Sequence, residues 1–291
     1  MMQTTNSLSV RSRFPYRNVP HPVRIQGSIT DLAGLRILLL VHGFANSEER
    51  AHASYEKFQA ALIAATGFST GTWGMVWEFH WPGDYPNNKL MSFMTYPARI
   101  PAAAHSGDRL ARFLHESPYL GRHQNLYIVA HSLGCRVTLE AILAIDLLDN
   151  YNGPIIREVV LLAAAVSVLD CAPGSGPFQP LGGHGREHVF YSRRDKALRR
   201  STFSLGQRAF GERGNAVGRD GMPVPRWQSR TSTGLGHPDY WGDRSVARGV
   251  SAIVGSGSAD LPQRHLPMVE PDTAESPESR ALTERVPETR D

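Results

Sequence analysis

An α/β fold, built on a mostly parallel central sheet with helices on both faces, is what this sequence predicts. Three observations predict it. Short apolar runs of strand length alternate along the chain with segments whose apolar residues return at helical spacing. The central runs are nearly continuous rather than alternating, the pattern of strands covered on both faces. The chain has 291 residues, 41% hydrophobic and 20% charged, and is long enough to bury one large core.

Residues 1–22 show no apolar periodicity and are expected to form a flexible N-terminal arm, with the ordered domain spanning 23–254. Val23-Arg24-Ile25-Gln26-Gly27 alternates like an edge strand. Leu35 to Val41 is almost wholly apolar and reads as a buried strand that ends at His42-Gly43-Phe44-Ala45-Asn46. Ser47 then offers an N-cap, and Tyr55, Phe58, Leu62 and Ile63 mark one face of a helix ending at Gly67. Met75 to Trp81 alternates as a further strand and stops at Pro82-Gly83. From 83 to about 100, Pro86, Asn87, Asn88 and Pro97 interrupt every period, so a long loop is expected there. Ala102 to Glu116 is an amphipathic helix. Asn125 to Val129 is a strand, and Val137, Leu139, Ile142, Leu143 and Ile145 give the next segment helical spacing. Ile156 to Ala163 and Glu187 to Tyr191 are strands, with a weaker one at Pro225 to Arg230. In 255–291 Ser, Pro, Asp and Glu replace apolar residues, so a disordered acidic tail is expected.

Formal net charge is +4, unevenly spread. From Gly255 to Asp291 eight acidic residues face four arginines, so that stretch carries −4 and the rest of the chain +8. Arg193, Arg194, Lys196, Arg199, Arg200 and Arg208 form a basic run that reads first as a solvated helix face; a patch facing phosphate-bearing lipid or an acidic substrate is the alternative, which makes peripheral membrane contact one expectation. No aromatic interleaving or nucleic-acid motif accompanies it, so nucleic acid is not an expected partner. Cys135 and Cys171 are too few for a disulfide scaffold and read as free core thiols. No apolar run approaches the roughly 20 residues that span a bilayer. No apolar stretch follows the starting methionine, and a cytoplasmic protein is expected. No feature specifies an oligomeric state.

Ala130-His131-Ser132-Leu133-Gly134 stands between the strand at Asn125 and the helix beyond it. A serine on a tight strand-to-helix turn is the setting of the G-x-S-x-G nucleophile elbow, with Ala130 in place of the first glycine. A hydroxyl is a poor nucleophile until a base takes its proton and N–H donors hold the developing oxyanion. Such elbows are followed in the chain by an acid and then a histidine. Asp195, past the strand ending at Tyr191, is the expected acid, with Asp170 in reserve; His237, in Gly236-His237-Pro238-Asp239, is the expected base. The backbone N–H groups of Phe44 and Leu133 are the expected oxyanion donors. His131 is a candidate substrate contact. Tyr85, Met91 and Phe93 are candidates to line an acyl pocket under a lid. No His or Cys cluster has metal-ligand spacing, and the glycines of 174–185 lack the context of a phosphate-binding loop. Neither metal nor cofactor is expected.

Leu39-Leu40-Val41-His42-Gly43-Phe44, the serine turn, Tyr191-Ser192-Arg193-Arg194-Asp195 and Gly236-His237-Pro238-Asp239-Tyr240 resemble the motif blocks of the α/β-hydrolase superfamily. Trp81-Pro82-Gly83 and Ser106-Gly107-Asp108-Arg109-Leu110 resemble, more narrowly, a bacterial subgroup of unknown function. The likeness covers about residues 35 to 245. It implies an esterase- or lipase-like serine hydrolase with an α/β-hydrolase fold and a Ser-Asp-His triad, acting on a small-molecule or lipid ester. A catalytically inactive binding module on the same fold and a membrane-surface lipase are the alternatives.

Overall fold

The computed structural model describes residues 6–11, 22–27, 36–67, 74–84, 89–172, 174, 176–178, 185–199, 215–221 and 228–256; the side chains of 89–95 and 97 lie outside that description. The chain divides into a unit Met1–Ala259 and a unit Asp260–Asp291, and the second, with the expected acidic tail, lies outside the described residues.

Among the described residues eight strands form one sheet. They are β1 (Asn6–Ser9), β2 (Arg24–Gln26), β3 (Arg36–Val41), β4 (Met75–His80), β5 (Asn125–His131), β6 (Ile155–Leu162), β7 (Arg186–Tyr191) and β8 (Ser229–Ser232). Their order is β2-β1-β4-β3-β5-β6-β7-β8, and every pair is parallel except β1 with β2. The helices are α1 (Glu48–Thr66), α2 (Lys89–Glu116), α3 (Gly134–Asp146), α4 (Val217–Asp220) and α5 (Arg244–Ser256). All of β5 is buried, and because successive side chains point to opposite faces, both faces of the sheet are covered there. α1 packs with α5 and α2 with α3 over the sheet. α1 begins as its sequence demands: Ser47 accepts a hydrogen bond from the Arg50 N–H, and Gly67 closes the helix in the left-handed region.

Four segments differ from the sequence reading. Residues 6–9, assigned to a flexible arm, form β1 inside the sheet, paired in parallel with β4 and antiparallel with β2. Leu8 and Val10 are fully buried there, but two apolar residues among polar ones carry too short a period to announce a strand. The expected loop from 83 to 100 is helical from Lys89 onward, and α2 runs through both Pro97 and Pro101. A proline inside a helix costs about 3 kcal/mol through the missing N–H and its ring clash. The buried face of Ile100, Ala103, Leu110, Ala111 and Leu114, packed towards α3, offsets that cost. The last strand is Ser229–Ser232, later than the expected Pro225 to Arg230. α5 extends through Gly255 and Ser256, two residues past the expected end of the domain.

Candidate active site

The elbow is built by backbone geometry before any side chain acts. Ser132 sits at φ 55°, in the left-handed region, as the chain turns from β5 into α3. Its N–H donates to the Leu162 carbonyl at 2.9 Å and its own carbonyl accepts from the Ala165 N–H at 3.1 Å, so the end of β6 and the segment just after it hold the strained residue from both sides. Gly134 lets the first turn of α3 lie against the end of β3, where a methyl group would run into the His42 carbonyl. Gly43 lets that end approach the serine, since a Cβ there would stand 2.7 Å from the Ser132 Cβ. Ala130 fills the place of the first glycine and is wholly buried.

His237 lies beyond β8, 105 residues after the serine in sequence, yet the Ser132 hydroxyl donates to its Nε2 at 2.8 Å. The opposite ring nitrogen, Nδ1, donates to Asp195 Oδ2 at 2.7 Å. Nε2 thus keeps its lone pair for the serine proton. Asp195 is fully buried, and its second oxygen accepts from the Leu198 N–H at 3.1 Å. Both tasks that the sequence offers this residue, closing the turn after β7 and facing the histidine, are performed by one carboxylate with one oxygen each. The reserve acid Asp170 instead faces Arg136 at 3.6 Å.

The loop after β3 carries the other expected donor. Among the described residues, the N–H groups of Phe44 and Leu133 donate to no backbone or side-chain acceptor. His42 anchors this loop: its Nδ1 donates to the Gly43 carbonyl at 2.8 Å, while its Nε2 accepts from the Trp81 N–H at 3.2 Å. The Trp81 indole N–H returns a bond to the His42 carbonyl at 2.7 Å, and the two rings stack with centroids 5.6 Å apart. Tyr55 completes the anchor, accepting from the His42 N–H at 2.7 Å and donating to the Phe79 carbonyl at 2.8 Å.

His131 is buried beside the serine. Its Nε2 donates to the His237 carbonyl at 2.9 Å, which ties the loop after β8 to the end of β5. Burial first and the neighbouring His237 second push its pKa down to about 3. Burial, then His80, holds His42 well below the ordinary value too. The sign of the pH effect follows. Between about 6.5 and 3 the unfolded chain binds a proton at His131 that the folded chain refuses, so stability is full above that window and falls as pH drops through it, and His42 acts in the same sense. The loss is about 1.4 kcal/mol per pH unit for each ring. His52 acts in the opposite sense, its pKa raised by a hydrogen bond to Glu78. Urea midpoints measured from pH 7 to pH 4 should therefore fall less steeply in His131→Gln than in the parent chain. Equal slopes would count against a neutral His131.

Of the expected site residues, Ser132, Asp195 and His237 form one hydrogen-bonded row, with His131 at its side. Met91 and Phe93 lie on α2 with side chains outside the described residues, and Tyr85 falls outside them altogether. Sequence reasoning missed three groups. Tyr96 on α2 packs edge-on against Phe44, with centroids 5.5 Å apart. Tyr55 was read only as part of a helix face, although a tyrosine on such a face carries a hydroxyl that must find partners when buried. Arg11 reaches the Trp81 carbonyl at 2.7 Å from a segment read as an arm. Among the described residues no group of three or more His, Cys, Asp or Glu is arranged to hold a metal ion, and no helix is long and apolar enough to cross a membrane.

A mostly parallel sheet flanked by helices, with a serine elbow at the end of its central strand, defines an α/β-hydrolase fold. The chain belongs to the family described as alpha/beta hydrolase of unknown function (DUF900), whose model matches residues 24–212. The match includes Ser132 and Asp195 and ends before His237. No curated protein matches the chain. Among solved structures it is similar to TT1662 from Thermus thermophilus, at 15% identity and a TM-score of 0.46, over 78% of this chain and 90% of that one. It is similar to a putative hydrolase from Agrobacterium vitis S4 at 10% identity and a TM-score of 0.45, over 88% of this chain and 98% of that one. The catalytic core domain of acetyl xylan esterase from Trichoderma reesei is similar at 11% identity and a TM-score of 0.40, over 76% of this chain and 97% of that one. The family match alone carries the assignment.

Proposed function

We propose that this chain is a serine hydrolase that cleaves a carboxylic ester of a small molecule or lipid through an acyl-Ser132 intermediate. The observation that carries the reading is His237 placed between Ser132 and Asp195, with each ring nitrogen engaged by one of them. In the first half-reaction the Ser132 oxygen adds to the ester carbonyl carbon as its proton passes to His237 Nε2. The carbonyl electron pair moves onto oxygen, where the N–H groups of Phe44 and Leu133 receive it. Collapse breaks the carbon–alkoxide bond, and the leaving alkoxide takes the proton back from His237. Water, deprotonated by the same nitrogen, then releases the acid and restores Ser132. Asp195 accepts from Nδ1 and holds the ring in the tautomer that accepts at Nε2.

A fluorophosphonate probe tests the reading directly. The parent chain should be labelled covalently, with the adduct on Ser132, and neither Ser132→Ala nor His237→Gln should be labelled at a comparable rate. An unlabelled parent chain, correctly folded, would instead favour a binding module on a hydrolase fold.

A further inference from the structure

The N-terminal segment reaches the active site. β1 runs parallel to β4, and the bond from the Val10 N–H to the His80 carbonyl, 3.0 Å, carries the pairing to the carboxyl end of the sheet. The next residue, Arg11, arrives where the oxyanion loop after β3 meets the turn after β4. Its Nη1 donates to the Trp81 carbonyl at 2.7 Å and reaches the Asn46 carbonyl at 3.4 Å. Its Nη2 pairs with Asp84 at 2.5 Å, and Arg24 of β2 in turn donates to the Arg11 carbonyl at 2.9 Å. A planar guanidinium can address two carbonyls and a carboxylate at once, which a lysine ammonium on its flexible stem does less rigidly. The Arg11 side chain is only 10% exposed, so these bonds are little weakened by water.

What Arg11 grips is the backbone that presents Phe44. Asn46, whose carbonyl it reaches, turns its side-chain amide back to the Gly43 and Phe44 carbonyls at 3.2 and 3.3 Å. Ala45, between them, stands at φ 61°, a left-handed conformation that an alanine adopts only when its surroundings impose it. Its N–H is tied to the Gly83 carbonyl at 2.6 Å, in the same turn whose Trp81 and Asp84 Arg11 binds. The Gly43–Phe44 peptide, which sets the direction of the Phe44 N–H, is thus held at its carbonyl by Asn46 and His42, and the Arg11 guanidinium bridges Asn46 to the turn of Trp81 and Asp84.

We propose that Arg11 is a positioning residue for the oxyanion-binding loop, acting through Trp81, Asn46 and Asp84 to aim the Phe44 N–H at the site beside Ser132. The proposal rests on the serine-hydrolase reading. It makes the N-terminal strand part of the active-site architecture rather than an appendage.

The test compares Arg11→Met and Arg11→Lys with the parent chain on a p-nitrophenyl ester, alongside affinity for an aryl trifluoromethyl ketone. That ketone takes up the Ser132 oxygen at its carbonyl carbon, passes the hydroxyl proton to His237, and leaves a hemiketal oxyanion facing the Phe44 and Leu133 N–H groups. Arg11→Met should lose about 10- to 100-fold in kcat with KM changed less than threefold, because a misdirected oxyanion donor is missed in the transition state and not in the ground state. Affinity for the ketone should fall by the same factor. Arg11→Lys should recover part of both, and guanidinium added at tens of millimolar should partly restore Arg11→Met. Should Arg11→Met fail to fold, Arg11→Lys alone carries the test through the parallel between kcat and ketone affinity. A kcat and a ketone affinity within twofold of the parent chain in a folded variant would overturn the proposal, as would a loss confined to KM or to thermal stability. An inert parent chain that no fluorophosphonate labels would remove the underlying reading instead, so the two failures are distinct.

Discussion

Ser132→Ala is expected to lower turnover of an activated ester by about 10⁵- to 10⁶-fold while leaving the fold in place. The substitution removes one oxygen. The bonds that hold the elbow run through the backbone of residue 132, to Leu162 and from Ala165, and survive it. Alanine accepts the left-handed conformation at a cost similar to that of serine, so the thermal midpoint should move by only a few degrees. What is lost is the covalent route itself: without Oγ, His237 has no proton to take and no acyl group is stored. A residual rate of about 10³-fold over water should persist, because the Phe44 and Leu133 N–H groups still polarise a bound carbonyl. Full activity in the purified variant would end the proposal of an acyl-serine intermediate.

Asp195→Asn should lower kcat by roughly 10⁴-fold. The reason lies in the division of labour between its oxygens. Oδ1 accepts from the Leu198 N–H and Oδ2 from His237, so both positions require an acceptor, and an amide supplies only one. If the amide oxygen stays with Leu198, the NH₂ group faces His237 and favours the tautomer with its proton on Nε2, which can no longer receive the proton of Ser132. If the amide turns over, the Leu198 N–H meets a donor in a fully buried place and stability falls by about 1–3 kcal/mol. Kinetics and a urea titration on one preparation separate the two outcomes. A variant that keeps both full kcat and full stability would show that Asp195 has neither role.

The sheet was legible in the sequence wherever strands are covered on both faces. β3, β5, β6 and β7 are apolar runs because burial leaves no choice, and the elbow declares itself through its setting between β5 and α3. The row of Ser132, Asp195 and His237 could be named from chain order, since each residue follows a strand and parallel strands deliver their carboxyl ends to one edge. What was not legible depends on long-range packing. β1 is four residues long and draws its stability from β4, 66 or more residues away, so local periodicity carries almost none of its signal. α2 violates the local rule against prolines because its opposite face is buried. Arg11 could not be assigned a task, because two of its partners are main-chain oxygens of Trp81 and Asn46, which leave no trace in residue type, and the third, Asp84, lies 73 residues away.

Two further imidazoles, His42 and His131, lie buried in the segments around the serine, and burial holds the pKa of each below its ordinary value. On the acid side of a plot of log(kcat/KM) against pH, neither His42 nor His131 should therefore add to the slope. A slope of two would mean that His42 or His131 takes up a proton there. Burying two histidines around one nucleophile thus keeps their charge out of its surroundings.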